Sequence, residues 1–188
     1  MKIAKTLLSF GLASAVMQSV AVLPGEAGLM AQRENPLLQK SQLPFGAPDF
    51  SIIQPTDYLP AMEEAIRQQR QEIAQIVANK EEPTFANTIL AYEQTGLLLD
   101  RVTSVFFGLT SADKTPVIAE TEKKIMPQLT ALSNDITFNK ELFSRIKYVY
   151  DHEYTTLTGE DQKLLEVVYK NFVRSGALLS DEKMERMK

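Results

Sequence analysis

Residues 83–110 read PTFANTILAYEQTGLLLDRVTSVFFGLT, and this stretch decides the fold class. Pro83-Thr84 is a helix entry, with Thr84 placed to accept from the first free amides. From there Phe85, Ile89, Tyr92, Gly96, Leu99, Val102, Phe106 and Leu109 recur at steps of three and four. That spacing lines them along one face of an α-helix. Leu98, Val105 and Phe107 widen the stripe, while Asn87, Glu93, Asp100 and Arg101 fill the other side. One continuous helix over the stretch would be roughly 40 Å long at about 1.5 Å per residue. A helix so apolar needs neighbours on more than one side, so the flanking segments are expected to be helices that bury it.

Downstream, residues 112–116 break the chain, and Thr115-Pro116 opens a helix to about residue 135. Its stripe is Val117 or Ile118, Ile125, Leu129, Leu132 and Ile136. Pro127 inside it removes a backbone donor and is expected to kink it. Asn139 caps a shorter helix with Leu142, Phe143, Ile146, Val149 and Tyr150 inward. Thr158-x-x-Asp161 opens the next in the manner of a capping box. Leu164, Leu165, Val168, Phe172 and Val173 form its buried face, and Gly176 lies near its end. Ser180-Asp181-Glu182 caps a sixth helix, and the chain stops at Lys188 after about two turns, as if cut.

Upstream, Pro55-Thr56-Asp57 introduces a helix over residues 55–80. Leu59, Met62, Ile66, Ile73 and Ile76 make its stripe, interrupted by Gln69, with Arg67, Gln68, Arg70, Gln71 and Glu72 on a solvated face. Residues 32–54 hold three prolines and a glycine, so no long helix fits there. They also hold Leu37, Leu38, Leu43, Phe45, Phe50, Ile52 and Ile53, too many apolar residues for a disordered tail. An extended arm across the helical body is expected. Residues 1–31 read as a secretory signal peptide: Lys2 and Lys5, an apolar run from Leu7 to Val22, then small residues around Gly25 to Ala27 and at Ala31. The alternative is an uncleaved membrane anchor, although the run is shorter than the ~20 residues that span a bilayer.

The whole is 188 residues with a net charge of −4 and no cysteine or tryptophan. Removing residues 1–31 takes away two basic residues and one acidic residue, Lys2, Lys5 and Glu26, and so leaves −5. Such a chain is a poor partner for nucleic acid or an anionic membrane surface. Without cysteine there is no disulfide, no thiolate nucleophile and no thiolate metal ligand. The fold class is all-α: a multi-helix domain over 55–188 with an N-terminal arm over 32–54.

Several short motifs fall in order along the chain. They are Asn35-Pro36-Leu37-Leu38, Leu43-Pro44-Phe45, Ala47-Pro48-x-Phe50, Tyr58-Leu59-Pro60-Ala61-x-Glu63, Pro83-Thr84-Phe85-x-Asn87-Thr88-Ile89 with Glu93-x-x-Gly96, and Phe172-Val173-Arg174-x-Gly176-Ala177-x-Leu179. Together they resemble the N-terminal region of the thimet oligopeptidase family of zinc metallopeptidases, and within it the bacterial peptidyl-dipeptidase branch. The resemblance covers nearly all of residues 33–188. It implies a helical half that walls a narrow channel for short peptides. It also implies a second half, downstream or on another chain, carrying zinc on an H-E-x-x-H helix.

No such motif occurs here. The single histidine, His152, cannot supply the two imidazoles that a helix-borne zinc site uses at a spacing of four. No catalytic, cofactor-binding or metal-binding residue is therefore assigned, and no zinc is expected on this chain. His152 in Tyr150-Asp151-His152-Glu153 reads as a surface or capping residue at a helix C-terminus. Glu63-Glu64 and Glu81-Glu82 lie in polar faces or turns, where a general acid–base role has little support. Tyr148, Tyr150, Tyr154 and Tyr169 suit core packing first and a channel lining second. Arg174 is expected to pair with a carboxylate inside the fold, with a substrate role as the weaker alternative. Three functions remain open: the channel-wall part of an exported peptidase, a non-catalytic helical module that binds peptides or a partner, and an inactive truncated product.

Overall fold

The computed structural model describes residues 33–179 together with Glu182 and Lys183. The expected signal peptide lies outside the described residues, as does all of the sixth helix except Glu182 and Lys183. The described residues from Glu34 onward form one compact unit. Among the described residues it is helical and has no strand.

Helix α1 (Tyr58–Ala78) is the central element. It packs against α3 (Leu97–Ala112) and α4 (Pro116–Thr137), and also against α5 (Lys140–Glu153), which in turn pairs with α6 (Gly159–Arg174). Two apolar clusters result. One joins Tyr58, Met62 and Ile66 of α1 to Val102 and Phe106 of α3 and to Ile118 and Ile125 of α4. The other joins Ile73 and Ile76 of α1 to Ile89, to Leu142 and Ile146 of α5, and to Leu165 and Phe172 of α6. Ile136, near the end of α4, packs against both.

The stretch 83–110 is not one helix. Thr84 does cap it, accepting from the Asn87 amide at 3.1 Å, while Asn87 Oδ1 accepts from the Thr84 amide at 2.9 Å. Phe85–Leu90 then winds as a π-helix and runs into a single α-turn, α2 (Ala91–Glu93). Gly96 ends it with φ 74° and ψ 9°, a left-handed conformation that suits glycine and stops a right-handed helix. α3 begins anew at Leu97. Two residues of α1 hold this break. Glu72 Oε2 accepts from the Gly96 amide at 2.8 Å, and a Cβ on Gly96 would stand 2.5–2.8 Å from the Gln69 side-chain amide. Gln69 therefore interrupts the stripe of α1 because it covers a glycine. Glu72, expected on the solvated face, is half-buried at this junction.

The other helix starts divide in the same way. Thr115 accepts from the Ile118 amide and Asn139 from the Leu142 amide, as expected of caps. Thr158 stands at the start of α6 but makes no side-chain capping bond, and Gly159 follows it with φ 61°. Pro127 lies within α4 without ending it. Ile118, not Val117, is the buried residue at the start of that helix.

Only part of the arm lies on the body. Asn35 Nδ2 donates to the Asp57 carbonyl at 2.7 Å, and Arg101 donates to the Leu37 carbonyl at 3.0 Å. Leu37 is buried, and Leu38 and Ile53 pack on the first cluster. Between them the chain makes short 3-10 turns at Pro36–Leu38 and Pro44–Gly46, and it leaves Leu43, Phe45 and Phe50 in solvent. The arm thus touches the body at its two ends, and prolines and a glycine turn the chain between them.

Candidate functional site

Since the sequence assigns no catalytic or metal residue, the candidate site is a surface, built mainly by α5 and α6. The recurrence of aromatic residues on these two helices brings them into one array. Tyr150 stacks on Tyr169 with ring centres 4.0 Å apart, and Tyr154 lies 4.9 Å from Tyr150. Phe143 continues the array at 6.0 Å from Tyr169 and 6.1 Å from Phe172, and Tyr92 meets Phe172 edge-on at 5.7 Å. Offset and edge-on ring pairs at these separations are attractive beyond their buried area. Phe143 and Phe172 are buried, while Tyr150, Tyr154 and Tyr169 are half-buried and form the array's outer rank. Burial holds the Tyr92 hydroxyl above its usual pKa, with a smaller push from Glu93.

Tyr148 stands apart from this array. Its ring stacks on His152 at 4.0 Å and its hydroxyl donates to the Glu82 carboxylate, which raises the phenol's pKa. His152 is exposed in the last turn of α5, with Nδ1 2.8 Å from the Tyr148 carbonyl.

Three of the four carboxylates in the Glu63-Glu64 and Glu81-Glu82 pairs have separate partners. Glu63 accepts from Gln128 Nε2 at 3.0 Å. Glu64 accepts from Arg67 and Gln68, and those hydrogen bonds hold its pKa down to about 2. Glu82 takes the Tyr148 hydroxyl, and the Glu81 carbonyl accepts from Arg145 at 3.3 Å. Neither pair is arranged as two carboxyls facing one reacting bond. Among the described residues no group of three or more acidic or histidine side chains could hold a metal ion. Arg174 is exposed in the last turn of α6, so its expected place inside the fold is corrected. The buried phase of that helix runs through Leu165, Val168 and Phe172. Position 174 instead follows the outward face that Val167, Lys170 and Asn171 occupy.

Sequence reasoning missed Arg145, a buried polar residue that joins α5 to the turn before the π-helix. It is buried on α5, where its guanidinium donates to the Asn79 carbonyl at 2.9 Å and to Asn87 Oδ1 at 3.1 Å as well as to Glu81. Asn87 Nδ2 in turn donates to the Glu82 carbonyl at 2.9 Å, and Glu153 accepts from the Phe85 amide at 3.1 Å. These bonds fix the turn between α1 and the π-helix against α5. A signal existed: position 145 lies three residues after Leu142 and four before Val149, within the buried phase.

Grooves flank the helices. One of about 390 Å³ lies beside the arm and is lined by Leu37, Leu43, Pro48, Ile53, Val102 and Val105, among others. A second of about 510 Å³ lies between α1 and the α4–α5 turn, where Arg70 pairs with Asp135 at 2.9 Å. No described helix is long and apolar enough to cross a membrane.

Comparison with known proteins gives the surface its context. The chain is 43% identical over 155 residues to a dipeptidyl carboxypeptidase of Salmonella typhimurium and 42% identical over 155 residues to that of Escherichia coli. It is 28% identical over 153 residues to oligopeptidase A of Escherichia coli. These matches take in 81–82% of this chain but only 22–23% of each relative. The chain thus spans less than a quarter of the length of the curated relatives it matches. No family model matches it.

Proposed function

From a chain that belongs to the thimet oligopeptidase family by its N-terminal part, we propose a channel-wall role within an exported peptidase that removes dipeptides from the carboxyl ends of short peptides. The observation that carries this reading is the 42–43% identity to two dipeptidyl carboxypeptidases across 155 residues. The half-buried tyrosines of α5 and α6 are the side chains suited to a peptide-facing wall, since each offers a flat ring with a polar tip.

The family resemblance implies zinc, and the residues present do not fit it. One exposed histidine, with a ring nitrogen against a carbonyl, lacks the companion imidazole and carboxylate of a catalytic zinc site. No hydrolytic step is therefore routed through this chain, and the chemistry belongs to the remaining part of the polypeptide. Residues 1–31 serve as the export signal in this reading, so the mature chain begins near Gln32.

A chimera tests the proposal. This chain replaces the matched stretch of one of the dipeptidyl carboxypeptidase relatives, and release of dipeptides from a short synthetic peptide is followed. The expected result is hydrolysis by the chimera and none by the 188-residue chain alone. A folded, zinc-loaded chimera without activity would overturn the reading and favour a non-catalytic helical module.

A further inference from the structure

The arm carries an apolar face that the rest of this chain leaves uncovered. Leu43, Phe45, Phe50 and Ile52 stand exposed within ten residues, whereas the other large apolar side chains in solvent are spread over several elements. Leu43 and Gly46 line the groove of about 390 Å³, and Phe45 lies between them in the chain. Phe45 is also the one non-glycine residue with positive φ among the described residues, at φ 61° and ψ 14°. A side chain with a Cβ is disfavoured there, and such a conformation persists where other interactions offset it. The ring is fully exposed and adds no packing within this chain; the turn is held by the Gly46 amide donating to the Leu43 carbonyl at 3.0 Å and the Ala47 amide donating to the Pro44 carbonyl at 3.2 Å. The matched relatives leave more than three-quarters of their length outside the aligned stretch.

We propose that the arm face centred on Phe45, with the groove beside it, is the docking site for an amphipathic helix from the remaining, catalytic part of the polypeptide. This rests on the function proposed above. A helix laid into an apolar groove inserts large side chains from successive turns. The groove takes the first of these between Leu37, Ile53 and Val105, and Phe45, outside the lining but next in the chain to Gly46, meets the next. A second copy of this chain and a short peptide are the competing occupants.

The experiment uses the same chimera and the 188-residue chain. Phe45 is replaced by p-benzoylphenylalanine, and the products of irradiation are mapped by mass spectrometry. The expected result is a cross-link within one polypeptide, from position 45 to a residue beyond the matched stretch. Cross-linking to a second copy, to an added peptide, or at no more than the level of the same probe at exposed Lys123 would overturn the proposal. Phe45→Asp gives a second readout. It is expected to lower the Tm of the chimera by several degrees and to leave that of the 188-residue chain unchanged; equal effects on the two would also overturn the proposal. An active chimera with no such cross-link removes the docking site and leaves the peptidase reading in place. An inactive one removes the peptidase reading whatever the cross-link shows.

Discussion

Gly96 is the residue on which the path of the chain turns. Gly96→Ala is expected to lower stability by about 1–2 kcal/mol, the usual cost of a left-handed backbone for a residue with a Cβ. The neighbouring Gln69 amide is the free end of a flexible side chain and can move aside, so Gln69→Ala should restore only a small part of the loss. Urea unfolding of the two single variants and the double variant checks this. Tyr58 makes the opposite case. Its hydroxyl is buried without a hydrogen-bond partner, and its ring lies 5.4 Å from Phe106. Burial, with the charge of Asp57 adding to it, keeps that phenol above its usual pKa. Tyr58→Phe is expected to leave the urea midpoint unchanged or raise it by up to about 1 kcal/mol in stability. Tyr58→Ala should cost about 3–5 kcal/mol by opening a cavity. A fall with phenylalanine would mean that the hydroxyl has a partner.

On the scale of single helices, local chemistry was legible where it acts over three or four residues. Glu166 of α6 shows such a contact and its consequence. It accepts from Lys163 at 2.9 Å and from Lys170, and these hydrogen bonds depress its pKa to about 2. A carboxylate with a depressed folded-state pKa contributes stability above its ordinary value near about 4.3, and the contribution is lost as pH falls toward about 2. Glu166→Gln should therefore flatten the pH dependence of the urea midpoint between about pH 4.5 and about pH 2, lying slightly below the parent at neutral pH and converging with it near about pH 2. The effect should be small, because both lysines are well exposed. The caps at Thr84, Thr115 and Asn139 could be read for the same local reason. The break at Gly96 could not, because the apolar period passes straight through it; what stops the helix is Glu72 and Gln69, distant in the chain. Arg145 escaped notice because charge argued for the surface, while its partners are carbonyls on a distant turn.

At the level of the molecule, two clusters share α1 and Ile136, so they are expected to unfold together. With no tryptophan in the chain, tyrosine serves as the probe: Tyr58 reports on one cluster, and Tyr92, Tyr150 and Tyr169 report on the other. Tyrosine fluorescence and far-UV circular dichroism should follow one urea transition. Two separated transitions would mean that the clusters are independent. The helical class was legible from periodicity across the whole chain. The aromatic surface of α5 and α6 was legible only as a set of tyrosines, since their stacking depends on how two helices pair. The Arg145 junction has one further consequence. The partners of its guanidinium are two backbone carbonyls and an amide, all uncharged, and the guanidinium itself is sheltered from solvent. Added salt would screen exposed pairs such as Arg70–Asp135 and pass this one by. The clasp between α5 and the turn before the π-helix is thus of a kind that a change of ionic strength does not loosen.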